Sequence, residues 1–151
     1  LSGTASFVDV MNSLVTILQG DNVLTDFCLE TWGKAPTVRK VYRKRTEINL
    51  DDLPIVLITR PVVTKKTLTQ ARDSKHDVRF YCGFQEDDAE KGPDYLVRFE
   101  EFLDDVLTAN PTILGTVGNM ILGESANDEG ALHPIYFFVA EAEVHHRRSA
   151  P

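Results

Sequence analysis

The 151-residue chain is poor in cysteine, with two, and holds one tryptophan and two methionines. Cys28 and Cys82 stand alone, so no disulfide framework can be drawn, and such usage suits a reducing compartment. A chain of this length buries ~70 % of its unfolded surface and needs neither disulfides nor a structural metal to hold a core. An excess of positive charge is also missing. Sixteen Lys and Arg against 23 Asp and Glu give a formal charge of −7, which excludes a broadly basic binder of nucleic acid or anionic membrane. No stretch approaches the ~18 apolar residues of a membrane span. The opening residues are not expected to be a secretory leader or transit sequence, because the first basic residue is Lys34 and Asp9 interrupts the early apolar run. The first residue is Leu1, so the numbering is expected to start after a lost or trimmed methionine.

The common catalytic and cofactor motifs are absent as well. Gly33-Lys34-Ala35 is the one Gly-Lys pair, but it lacks the Ser or Thr of a phosphate-binding loop and has Cys28 where a glycine is required. There is no G-x-G-x-x-G, H-E-x-x-H, C-x-x-C, EF-hand loop or G-x-S-x-G. A metal-dependent nuclease reading of Pro93-Asp94 needs a lysine beside a downstream carboxylate, and no lysine follows Lys91. Glu100, Glu101, Asp104 and Asp105 read instead as the solvated face of a helix. Cys82 lies between Phe80 and Phe84 at strand spacing, and Cys28 is on the apolar side of a short helix, so both thiols read as packing. His145 and His146 point to opposite faces of a strand and cannot chelate one metal together. A protein without catalysis or cofactor is expected.

What is present is a regular succession of elements. Phe7, Val10, Met11, Leu14, Ile17 and Leu18 recur at helical spacing, Ser6 with Asp9 resembles a capping box, and Gly20 supplies a stop, predicting a helix over 6–19. Asp21 begins a second short helical turn with Leu24, Phe27 and Cys28 on one side, ending near Gly33. Residues 38–46 predict a basic strand. Ile55 to Ile58 form a doubly covered strand closed by Pro61. Val78, Phe80, Cys82 and Phe84 alternate with Arg79, Tyr81 and Gln85 over 76–85. A second long amphipathic helix runs from Pro93, at its first position, to Ala109 and stops at Asn110-Pro111. A strand is expected over 117–122, a polar loop over 123–133 and a long last strand over 135–146, with 147–151 as a tail. This order predicts a single α+β domain over 1–146. It comprises a mainly antiparallel sheet of four to six strands with two long amphipathic helices packed on one face. Hairpin-length connections around 47–53 and 123–134 favour antiparallel pairing.

The basic strand is the unusual feature. Five of the seven residues from Arg39 to Arg45 are Arg or Lys: Arg39, Lys40, Arg43, Lys44 and Arg45, with Tyr42 between them. A ribbon so charged can be an edge strand protected from aggregation, a surface for an acidic protein partner, or a nucleic-acid contact. Charge is also segregated along the chain. Lys34 to Arg79 hold 12 basic and 5 acidic residues, a balance of +7, and the remainder holds 4 and 18, a balance of −14. Blocks of opposite sign on one small domain suit head-to-tail association, which closes into a ring under a suitable rotation.

In layout the chain resembles the tail terminator, or tail completion, proteins of long-tailed bacteriophages and prophages. The residues carrying the likeness are the N-terminal amphipathic helix, the Trp32-Gly33-Lys34-Ala35-Pro36 turn, the basic strand and the segment Leu53–Pro61. A strand–helix–strand unit through Phe84 and Phe99 and the long final strand complete it. The resemblance covers most of the chain and is one of architecture and size. It implies a structural subunit of the virion tail or neck, assembled in the bacterial host cytoplasm as a hexameric ring on the last ring of the tail tube. Such a ring stops tube growth and offers a docking surface to the head–tail connector. DNA passes through its lumen without sequence recognition, and neither cofactor nor membrane is involved. On that reading Arg39, Lys40, Tyr42, Arg43, Lys44 and Arg45 form the expected interface. The loop residues Glu124, Asn127, Asp128 and Glu129 form a second one, and Glu141 and Glu143 are candidates for an acidic lumen. The alternatives are another phage subunit, either a head–tail connector or a tail tube protein, and a host nucleic-acid-binding or regulatory module using the basic strand.

Overall fold

The computed structural model describes residues 6–41, 47–67, 71–116 and 119–149. Helix α1 (Phe7–Gly20) starts as its side chains dictate: the Ser6 hydroxyl accepts from Val8 N at 3.2 Å, and the Asp9 carboxylate accepts from Ser6 N at 3.1 Å. Helix α2 (Asn22–Trp32) follows at once, with Asp21 Oδ1 accepting from Leu24 N at 2.9 Å. Gly33, at φ 71°, ends it in the left-handed conformation that glycine adopts without a Cβ penalty. The expected short turn is therefore an 11-residue helix. Helix α3 (Lys91–Thr108) begins two residues before Pro93, which sits in the first turn, where its missing N–H costs nothing.

The sheet has the order β1-β2-β3-β5-β4, with β1 (Thr37–Arg39), β2 (Ile55–Thr67), β3 (Ala71–Gln85), β4 (Asn119–Asn127) and β5 (Ile135–Ser149). The fold is α+β, with three helices and a mixed, mostly antiparallel five-stranded sheet among the described residues. Several boundaries differ from expectation. β1 shares Val38 and Arg39 with the predicted 38–46 and pairs with β2 in parallel, Val38 opposite Val56. The connection through 47–53 is therefore a crossover and not a hairpin. Pro61 does not close β2: the register shifts between Thr59 and Val62, and Pro61 sits in that bulge, where no ladder bond is needed from its nitrogen. β4 runs on to Asn127 through a second shift between Leu122 and Ser125, so 123–127 is an edge strand where a loop was expected. β5 extends to Ser149, taking in most of the expected tail.

Strand alternation sorts the residues. Val78, Phe80, Cys82 and Phe84 are buried, and one cluster joins them to Val56, Ile58, Phe138 and Val144 and to Leu14, Leu18, Phe27, Phe99 and Leu103 of the helices. Phe80, Phe84, Phe99 and Phe138 are fully buried, and each contributes about 1.5–3 kcal/mol of burial. Trp32 stacks on Phe84 at 4.7 Å between ring centroids, and Phe84 stacks on Tyr136 at 5.3 Å. On the other face of the sheet, Leu53, Ile55 and Leu57 form a smaller cluster with Ile48, Tyr81 and Ile135. Segment 47–53 thus covers one end of that face. The Phe137 ring crosses Gly83 there, and a Cβ on Gly83 would lie 2.5 Å from Phe137 Cε1.

Candidate interaction surfaces

Beyond the bulge at Arg60-Pro61 the sheet leaves the helices behind. Residues 62–67 of β2 pair with 72–77 of β3, and 71–77 of β3 pair with 143–149 of β5; β4 joins at the root, over 143–145, and beyond it the arm has three strands. Thr64, Lys65 and Lys66 are all exposed, so here β2 turns neither face to a core. An open groove of about 490 Å³ runs along the arm, lined by Lys65, Lys66, Asp73, Lys75, His146 and Arg147 among others.

Cross-strand register organises the arm's charges. On the face that carries Arg79, the β3 residues Arg79, Asp77, Lys75 and Asp73 stand opposite Glu141, Glu143, His145 and Arg147 of β5. Arg79 Nε lies 3.2 Å from Glu141 Oε1, and Lys75 Nζ lies 3.1 Å from Glu143 Oε1. His145 Nε2 is 2.7 Å from the other Glu143 oxygen. Arg147 donates twice to Asp73, at 2.7 and 3.3 Å. The bonds from His145, then Lys75, hold the Glu143 carboxyl below the usual range, and Arg147 does the same for Asp73.

On the opposite face the root of the arm rests on the start of α1. Phe7 stacks on His76 at 3.6 Å with the rings 12° apart and meets His146 edge-on at 5.7 Å. Arg60 Nη1 donates to His76 Nδ1 at 3.3 Å, and the guanidinium carbon lies 5.3 Å from the centre of the Phe7 ring. This bond makes Nδ1 the acceptor and leaves the proton on Nε2, which is buried without a partner among the described residues. Burial, then the charge of Arg60, lowers the His76 pKa to about 4, so the ring is neutral.

The sequence-predicted residues are distributed as follows. Arg39 ends β1 at the open edge of the sheet and Lys40 follows it, both exposed. They flank a shallow groove shared with Asn12, Val15 and Thr16 of α1. Tyr42, Arg43, Lys44 and Arg45 lie outside the described residues, and among the described residues the strand ends at Arg39. Glu124 is in the bulge of β4 and Asn127 ends that strand. Asn127 Oδ1 accepts from Glu129 N, and Asp128 Oδ1 from Gly130 N, closing a tight turn in place of the expected long loop. Glu141 and Glu143 share one face, but a cation stands beside each, so their charge is offset locally.

Sequence reasoning missed the arm. It counted Lys65, Lys66, Arg72 and Lys75 in the basic block without assigning them to strands. The signal was a β-branched stretch with polar residues (Val62, Val63, Thr64, Thr67) running on past Pro61. The acidic counterpart was read correctly as exposed: Glu101, Asp104 and Asp105 lie on the outer side of α3, with Glu100 half-buried. Burial and then Asp104 raise the Glu100 carboxyl, and burial, Asp105 and Glu101 raise that of Asp104.

Both thiols are buried, and burial pushes Cys28 up to about 12 and Cys82 well above its ordinary value. Among the described residues no group of three His, Cys, Asp or Glu is placed to hold a metal ion, and no helix is long and apolar enough to cross a membrane. No family model matches the chain, and no curated protein matches it.

Proposed function

We propose that the protein is a non-enzymatic structural subunit of a long-tailed phage, a tail terminator. It assembles head to tail into a ring of six on the end of the tail tube, stops its growth and presents a surface to the head–tail connector. The observation that carries this reading is the separation of charge in space. The arm bears the exposed lysines Lys65 and Lys66, and α3 on the same domain bears the exposed carboxylates Glu101, Asp104 and Asp105, none of them in an ion pair among the described residues. Such a subunit can use both surfaces only by meeting another copy in a heterologous contact, and six repeats let each contact be modest. Two further features fit. Both sheet edges, β1 and β4, are open among the described residues, and α1 and α3 serve as the two long helices covering the Phe80 face. DNA passes the assembled ring without sequence recognition, and the site of action is the virion neck.

Negative-stain microscopy and mass measurement of the purified protein, alone and with tail tubes, test this. A single ring at one tube end is the expected result. Long filaments of the protein alone identify a tube subunit instead. Reversing Arg43 and Lys44 to Glu is expected to abolish ring formation or tube capping while leaving the monomer folded, and intact assembly in that variant removes the basic ribbon from the interface.

The cationic arm groove favours one second reading, a nucleic-acid-binding module. Steeply salt-sensitive DNA retention by the isolated protein would identify it.

A further inference from the structure

The arm and α3 are complementary in more than sign. Lys65 and Lys66 are exposed on opposite faces of β2. Lys66 shares its face with Val62 and stands opposite Asp73, whose carboxyl Arg147 and then Lys66 hold below the usual range. Lys66 does so without a direct ion pair among the described residues, whereas Arg147 is bonded to Asp73 and Lys75 is held on Glu143. On α3, Glu101, Asp104 and Asp105 occupy the solvated side without a cationic partner among the described residues. Crowding and partial burial raise Glu100 and Asp104, and a cation brought to this helix would relieve that repulsion.

Each surface also offers an apolar centre. Val62, 48 % exposed, stands at the root of the arm, and Val97, 53 % exposed, lies one helical turn before Glu101. Charges around a small apolar contact are the pattern of a protein interface, and steering between them favours register over raw affinity. An 18-residue helix is about 27 Å long, enough to receive an arm whose three strands span about 10 Å.

We propose that the arm of one copy docks on α3 of a second copy, with Val62 and Lys66, which share one face of β2, placed against Val97, Glu101, Asp104 and Asp105. This rests on the ring-subunit reading and names its contact. The occupant is a second copy because the same chain carries both halves of the match, and no described ion pair joins them within one molecule.

Zero-length carbodiimide coupling tests it, since that chemistry joins a lysine only to a carboxylate in ion-pair contact. Equal amounts of isotope-labelled and unlabelled wild type are coupled at high protein concentration, at low and high salt, and mapped by mass spectrometry. The expected result is mixed-isotope links from Lys66 to α3, lost at high salt. A K65E/K66E variant, checked for folding by circular dichroism, should lose them, and mixing it with an E101K/D105K variant should restore coupling in the reversed sense. Links that map elsewhere, or a yield unchanged in K65E/K66E, overturn the proposal. Rings on tail tubes formed equally well by K65E/K66E would overturn the arm contact and leave the ring reading standing. A wild type that neither couples nor caps tubes removes both. Salt-sensitive DNA retention lost in K65E/K66E, with self-coupling unaffected, would assign the arm to nucleic acid and overturn the proposal.

Discussion

β3 and β5 run side by side for their whole length, yet their two ends live in different physical worlds. From Val78 to Gln85 and from Ile135 to Val144, alternate residues enter a core of aromatic rings. From Ala71 to Asp77 and beyond Val144, the same two strands carry a ladder of charges on one face. On the other face His76, His146 and Phe7 are packed together, with Arg60 against Phe7 and His76. The hydrogen-bond pairing is continuous, so it is not what separates the ends. The core end is held by apolar burial, at roughly 25 cal/mol per Å². The arm is held by ladder hydrogen bonds and exposed ion pairs, each of which contributes little. One end is built to fold and the other to be reached.

The comparison can be broken by substitution. Phe99→Ala removes a fully buried ring from the core end and should cost about 3–5 kcal/mol in urea denaturation. Gly83→Ala puts a methyl group into the Phe137 ring and should cost about 1–3 kcal/mol by the same measurement. At the junction, His76 has a folded pKa depressed to about 4 from 6.5. Between those values the unfolded chain binds the proton and the folded one does not. Its contribution is therefore complete above pH 6.5 and is lost as pH falls towards 4, by up to about 2 kcal/mol. His76→Phe keeps the stack on Phe7 and should flatten that acid limb, read as denaturation midpoints at pH 7 and pH 4.5. Removing Asp73 and Arg147, singly and together, should leave the midpoint within the scatter of the wild type, because the pair is exposed. A large coupling in that double-mutant cycle would mean that the arm contributes to folding, and the contrast between the two ends would fall.

Local chemistry was legible in residues whose neighbours in sequence are their neighbours in space. Ser6 and Asp9 announced the start of α1, Gly33 the end of α2, and the alternation from Val78 to Phe84 the buried side of β3. Edge and arm elements were not legible, because their pattern is not one of burial. β4 beyond Leu122 is exposed on both sides, so Glu124 to Asn127 look like a loop until β5 pairs with them. Pro61 looks like a stop until the bulge removes the need for its N–H. A basic strand was expected over 38–46; β1 pairs with β2 over Thr37–Arg39, and Tyr42 to Thr46 lie outside the described residues. Of the candidate surfaces, the charge split was visible in order along the chain, but the arm that projects half of it was not.

The sequence by itself determined the class of fold, the helical caps, the apolar faces and the separation of a +7 block from a −14 remainder, since each depends on spacing or count alone. Only the tertiary structure decided that β1 runs parallel to β2 and that Glu141 and Glu143 stand beside cations. It alone placed His76 against Phe7 and Arg60, and Lys65 and Lys66 on exposed strand positions of the arm. The physical reason is that strand pairing joins residues far apart in the chain, and in an antiparallel pair it is register, not composition, that chooses which charges meet.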